Sequence, residues 1–193
     1  MGGNKMNSYF EAVQEQLKDW KVAVLVLIFT AARLVYGWAW LSAGLHKLTW
    51  LSDGQINAAG FIQSMINNLA GPQVTSFDPL LINNLFAWVA QNVFLGIPSV
   101  VDFMVVVFEI SIGVALILGY RVFWFSLIAL FMNTQFMAGG SFNNFGYIWS
   151  DIAFMGFAGK AELLGLSGYL KFRNEKLERS ERFYPQQNSA SRI

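Results

Sequence analysis

Five residues of the first long apolar run, Arg33, Gly37, Trp40, Gly44 and Lys47, follow one another at steps of four, three, four and three. On a helix that spacing puts a guanidinium, an indole, an ammonium and two glycines on one stripe. The opposite face is built from Leu, Val, Ile and Phe. A charge near the middle of a helix long enough to cross a bilayer needs a partner or a polar cavity. Two later runs carry matching stripes, Asp102, Glu109 and Gly113 in one and Asp151, Met155, Ala158 and Glu162 in the other, with Lys160 on the far side. Helix rise places Arg33 roughly 16 Å from one side of the hydrocarbon layer and Glu109 roughly 14 Å from the other, within a layer roughly 30 Å thick. An Arg33–Glu109 ion pair near the midplane is therefore expected. It either fixes the register of two helices or leaves Arg33 donors for an anion or a quinone carbonyl, with Glu109 relaying protons.

A second cluster is expected at the other end of the stripe. His46 and Lys47 face Asp102 and Asp151, with Trp40, Asn133 and Asn143 within reach. Such a set offers a cationic mouth for a small anion and groups that exchange protons while a quinone is reduced. Arg33, Glu109 and His46 are the candidate catalytic residues. Lys47, Trp40, Asp102, Asp151 and Asn133 are the candidate binding residues. No metal site is expected, because one His and two Asp lie on three helices without a spacing that fixes geometry. With no cysteine and a single histidine, thiolate sites, iron–sulfur clusters, a persulfide intermediate and bis-histidine haem are excluded for these residues. Any redox chemistry then belongs to the substrates, a membrane quinone among them, or to another subunit.

The chain that must position these residues has 193 residues, 55% of them apolar and only 13% charged, against about 25% charged in a soluble domain. Windows at about 22–45, 100–118, 122–138 and 148–166 each come near the length needed to cross hydrocarbon. The fold expected is all-α, a four-helix transmembrane bundle in the cell (inner) membrane, with its first helix retained rather than cleaved. Lys and Arg gather before the first window, at Arg121 and in the tail, while the long first loop has only Lys47 and the third-to-fourth loop none. That bias predicts cytoplasmic termini. Residues 1–21 read as an amphipathic surface segment capped by Ser8, 22–170 as the membrane domain and 171–193 as a charged tail, helical and then disordered after Pro185. Basic residues split between two ends and interleaved with Glu form no groove for nucleic acid.

The loop at 48–98 is too apolar to be disordered. Helix-like spacing at 56–69 and 80–93, the second preceded by Asp78-Pro79, predicts two short helices capping the outer mouth. They serve as an interfacial anchor or as a lid. Gly119 ends the second span and Tyr120-Arg121 makes a tight turn into the third. The run from Ala138 to Gly146 is an uncharged Gly/Asn turn without the features of a phosphate loop.

Arg33, Gly37, Ser42, Gly44, Lys47 and Leu48 in the first span, with Glu109, Gly113, Leu118, Gly119 and Arg121 in and after the second, resemble the DoxX/DoxD family of four-helix membrane proteins. The resemblance runs from Ala31 to Tyr169, and the long first loop looks more like the DoxD branch. It implies a membrane subunit of a thiosulfate:quinone oxidoreductase, with Arg33, Glu109 and Lys47 as the family-matching charges. It also implies a second, DoxA-like subunit supplied in trans. The alternative is a non-catalytic accessory subunit of a respiratory or other membrane complex. A transporter ranks third, since four short spans show neither repeats nor broken helices.

Overall fold

A computed structural model describes residues 8–53, 55–71 and 78–183. These are mostly helical, with no strand among them. Helix α1 (Tyr9–Leu17) is opened by a capping box in which the Ser8 hydroxyl and the Glu11 carboxylate bond each other's backbone N–H groups. Its Val13 packs against Val26 and Leu163, and the Tyr9 hydroxyl donates to the Leu163 carbonyl. The amphipathic segment is thus docked on the protein rather than lying apart from it.

Helix α2 (Trp20–His46) runs into a 3₁₀ turn at Lys47–Leu51. Arg33, Gly37, Trp40 and Gly44 are buried and Lys47 is half-buried, as the stripe predicts. Helix α5 (Pro98–Leu118) starts on a first-turn proline and buries Asp102, Glu109 and Gly113. It lies antiparallel along α2, and glycines set the separation. A Cβ at Gly113 would stand 2.5 Å from the Leu41 backbone nitrogen, and one at Gly37 would stand 3.0 Å from the Gly113 carbonyl oxygen. Gly119, at φ +65°, then ends α5, and the predicted tight turn leads into α6 (Val122–Ala138).

The fourth predicted window does not form one helix. It divides into α7 (Phe145–Gly156) and the short α8 (Ala158–Glu162), broken at Phe157. Gly156 and Gly159 flank the break and weaken the helix there. Phe157 stacks on Phe29 with ring centroids 4.6 Å apart, which holds the break in place. Helix α9 (Leu166–Phe183) follows. The tail expected to be disordered after Pro185 lies outside the described residues. Tyr36, Trp40, Ile112, Leu116, Met132 and Phe154 form the main core where α2, α5, α6 and α7 meet.

The long loop contains α3 (Ala58–Ala70) and α4 (Ile82–Asn92), close to the predicted positions. Asp78 caps α4 by accepting from the N–H groups of Ile82 and Asn83, each at 2.8 Å. The helix nevertheless starts beyond the expected Pro79, because Leu81 adopts the left-handed conformation at φ 53°. The two helices share a small core of Ala58, Ile62, Met65 and Ala90.

Among the described residues two helices are long and apolar enough to cross a membrane, Trp20–Leu51 taken with its 3₁₀ extension and Pro98–Leu118. Their close contact gives a direct test. Gly113→Ala inserts a methyl against backbone that cannot turn aside and is expected to lower stability by about 1–3 kcal/mol. Gly60→Ala, on exposed α3 with nothing within 4 Å, should gain about 0.5–1 kcal/mol. Thermal unfolding in detergent separates the two, and equal midpoints would show that the glycines do not set the helix separation.

Candidate functional site

Arg33 lies nearer the end of α5 than Glu109. With α2 and α5 in their antiparallel register, its guanidinium Nη1 donates to the carbonyls of Leu116 and of Ile117, the latter at 2.9 Å. These are carbonyls of the last turn of α5, which carries the negative end of its dipole, and that of Leu116 also accepts from the Gly119 N–H at 3.1 Å. Gly119 admits the guanidinium, since a Cβ there would stand 2.6 Å from Nη1. Glu162 adds electrostatic attraction from α8 and also caps α6, its Oε1 accepting from the Val122 N–H at 2.5 Å.

The expected Arg33–Glu109 pair is therefore not formed. Helix rise gives the relative depth of two residues only where both helices start level with a membrane edge, whereas the glycine contacts set a register that leaves Glu109 two turns from Leu116. At Glu109 the stripe instead presents Lys47, whose Nζ donates to Glu109 Oε1 as a salt bridge. Glu109 is 2% exposed at its side chain and Lys47 26%. The ammonium also lies 5.5 Å from the ring centroids of both Trp50 and Phe136, within cation–π range.

The predicted cluster of His46, Lys47, Asp102 and Asp151 divides into separate places. His46 is exposed, its Nδ1 2.6 Å from the Ser42 carbonyl oxygen of its own helix. Asp102 is buried as the cap of α3, accepting from the N–H groups of Asn57 at 3.0 Å and Ala58 at 2.7 Å. Asp151, fully buried, accepts from the Tyr36 hydroxyl at 2.8 Å and from Asn133 Nδ2 at 2.7 Å. Asn133 Nδ2 also donates to the Tyr36 oxygen at 2.9 Å, and Asn133 Oδ1 accepts from Asn144 Nδ2 at 2.7 Å. In that Tyr36–Asp151–Asn133 cluster each side chain finds its partners, which suits it to locking α2, α6 and α7 together.

Two members of the cluster, Tyr36 and Asn144, are not among the residues that the sequence singles out. Tyr36 lies three residues after Arg33 and shares its stripe, a position its spacing marks. Asn144, rather than the expected Asn143, reaches inward from the Gly/Asn turn.

Beneath α3 lies a cavity of about 590 Å³, within the usual range for a small-molecule site. Its walls include Trp40, Trp50, Phe61, Phe108 and Phe136, the ion pair of Lys47 and Glu109, and the outer members of the closed cluster, Tyr36, Asn133 and Asn144. Unlike that cluster, the polar set around Glu109 is incomplete. Glu109 Oε2, Trp40 Nε1 and Gln135 Oε1 are buried without a hydrogen-bond partner, and all three side chains line the cavity. Of the candidate site residues, Lys47, Trp40, Asn133 and Glu109 thus meet at one cavity, whereas Arg33, His46, Asp102 and Asp151 do not line it. Among the described residues no three His, Cys, Asp or Glu side chains come together in a metal-holding arrangement.

The ion pair predicts a non-additive mutant series. Lys47→Met strands a buried carboxylate and is expected to cost about 3–5 kcal/mol, whereas Lys47→Met combined with Glu109→Leu should recover most of that loss. Thermal unfolding in detergent of the parent, Lys47→Met, Glu109→Leu and the double variant measures this, and a double variant as unstable as the sum of the two single losses would count against the pair. Scanned against models of protein families, and searched against curated proteins and solved structures, the chain returns no match.

Proposed function

We propose that the protein is a four-helix integral membrane protein that binds a membrane quinone in the cavity beneath α3. It acts as a DoxD-like subunit of an oxidoreductase whose electron donor is a small sulfur oxyanion, thiosulfate above all. The spans are α2, α5, α6 and α7 continued by α8. Both termini lie on the cytoplasmic side of the cell membrane, and the α3–α4 hairpin lies on the outer side.

Immersion in lipid is supported by the large apolar side chains left exposed on α2 and α5, among them Leu27, Ile28, Val35, Trp38 and Phe103. Only 22% of the most apolar stretch of α2 is buried, against the near-complete burial of a soluble core helix. Between Asp53 and Asp102 the sole charged residue is Asp78, a composition suited to the headgroup layer. The orientation follows the distribution of Lys and Arg.

The observation that carries the ligand is the cavity, apolar and aromatic over most of its wall and carrying the Lys47–Glu109 ion pair. A quinone ring is flat and apolar with carbonyl oxygens at its edge, so it stacks on such rings while Lys47 offers a donor. Reduction takes up two electrons and two protons to give a quinol. Two thiosulfates supply the electrons as they join through a new S–S bond into tetrathionate. Lys47 and Glu109 are the groups on the wall able to exchange protons with the ring oxygens. The sulfur donor is carried by the family resemblance, and Lys47 is the cation available to it at the cavity, since His46 lies elsewhere.

An accessory role without catalysis is the second reading. It is favoured by the exposed Leu81, Leu85 and Trp88 on and beside α4, which could seat against a larger complex.

Purified protein should show quenching of tryptophan fluorescence by a decyl-chain benzoquinone, since Trp40 and Trp50 line the cavity. Ala43→Trp, which fills the cavity from α2, should weaken binding at least tenfold, and Arg33→Ala should leave the affinity of its folded fraction unchanged. Thiosulfate-driven loss of quinone absorbance, alone or with a co-purified subunit, tests the donor. Binding indifferent to Ala43→Trp would reject the cavity as the quinone site, and a stoichiometric larger complex without turnover would favour the accessory role.

A further inference from the structure

The unpartnered atoms of the cavity specify more than a ring. In the ion pair the Glu109 carboxylate is engaged by Lys47 through Oε1, which leaves Oε2 as an acceptor, buried without a hydrogen-bond partner. Gln135 Oε1 is a second acceptor in the same condition, and Trp40 Nε1 is a donor. A buried polar atom without a partner is costly, and a ligand that completes it gains that cost back on binding. A quinone ring has acceptors only, so it can satisfy Trp40 but presents lone pairs to Glu109 and Gln135. A hydroquinone carries hydroxyls that donate and accept, and so can satisfy all three.

We infer that this cavity is built for the dihydroxy-aromatic form of its ligand, with a ring hydroxyl donating to Glu109 Oε2. The inference rests on the quinone reading of the cavity and adds which redox form the site prefers. The selectivity follows from a mismatch: a carbonyl oxygen against the free oxygen of the salt-bridged carboxylate repels, while a hydroxyl makes a charge-assisted hydrogen bond. Glu109 is thus a binding residue through Oε2 and a structural one through Oε1. The closed Tyr36–Asp151–Asn133 cluster has no atom left over and plays no part in the choice.

The test is titration of the purified protein, under argon, with a decyl-chain benzoquinone and with the corresponding hydroquinone, read by tryptophan quenching. The hydroquinone is expected to bind about tenfold or more tightly, the worth of one hydrogen bond to a charged group. Glu109→Gln replaces the carboxylate with an amide that also donates, so the ratio should fall to about one or invert. Gln135→Leu removes an acceptor without touching the ion pair and should lower the ratio in a protein whose folding is not at issue. Trp40→Phe should weaken both forms together. Equal binding, or tighter binding of the benzoquinone, overturns the redox preference and leaves the quinone reading standing. Failure of both forms to bind overturns the quinone reading itself.

Discussion

The near-contact of α2 and α5 is the constraint on which the rest of the structure depends. Three glycines, Gly37 and Gly44 on α2 and Gly113 on α5, let two backbones approach until a single methyl would collide. Small residues at helix interfaces do this in membranes, where lipid offers apolar side chains as good an environment as a neighbouring helix does. Association then depends on packing and on polar partners, and here both arise from one contact. The glycines fix the register, and the register decides which charge on α2 meets which group on α5. Lys47 meets Glu109, and Arg33 meets the end of the helix. A shift of one turn would leave Arg33 without carbonyls and Glu109 without a cation, so the packing and the electrostatics select the same alignment.

Two buried polar groupings sit on either side of Trp40 and differ in completeness. Tyr36, Asp151, Asn133 and Asn144 bond one another and link three helices, the arrangement expected of a group that secures a unique packing. Around Glu109 the ion pair is made, yet acceptors and a donor remain unmet along the cavity wall. Burial costs the second grouping more than it returns within the protein alone. That contrast, and not the presence of charge, distinguishes the candidate site from the brace beside it. Arg33 makes the same point from the other direction. It is the most conspicuous charge within a long apolar run of the sequence, yet its Nη1 bonds backbone carbonyls and it does not line the cavity.

Much of this architecture is legible in the sequence. The periodic stripes identify the buried faces of α2 and α5, and Gly119 with Tyr120-Arg121 marks the turn between α5 and α6. The apolar spacing within the long first loop locates α3 and α4. Partners across helices are less legible, because periodicity gives the face of each helix but not the vertical offset between two. That offset is set by where glycine backbones touch. An error of two turns exchanges Arg33 for Lys47 as the partner of Glu109. The same limit applies at Asp151, whose partner Tyr36 comes from a helix distant in sequence, and at Asn133, which Asn144 reaches from a turn. The break at Phe157 reflects a third limit, since Gly156 and Gly159 only weaken a helix and the stacking of Phe157 on Phe29 decides where it parts.

The placement of Asp102 links the cap of the bundle to the cavity below it. Its carboxylate is 3% exposed and accepts from the first N–H groups of α3, where the helix dipole favours a negative charge. The far end of α3 is held by Asn68, whose Nδ2 donates to the Ala138 carbonyl at 2.9 Å. Between these ties Phe61 lies over Gly139 and meets Phe136 edge-on, closing the cavity from above with an aromatic surface. A side chain at Gly139 would displace that ring, since a Cβ would stand 2.1 Å from it. The lid is thus fastened at both ends by polar bonds and seated in the middle by a glycine, so α3 is a fixed wall of the cavity.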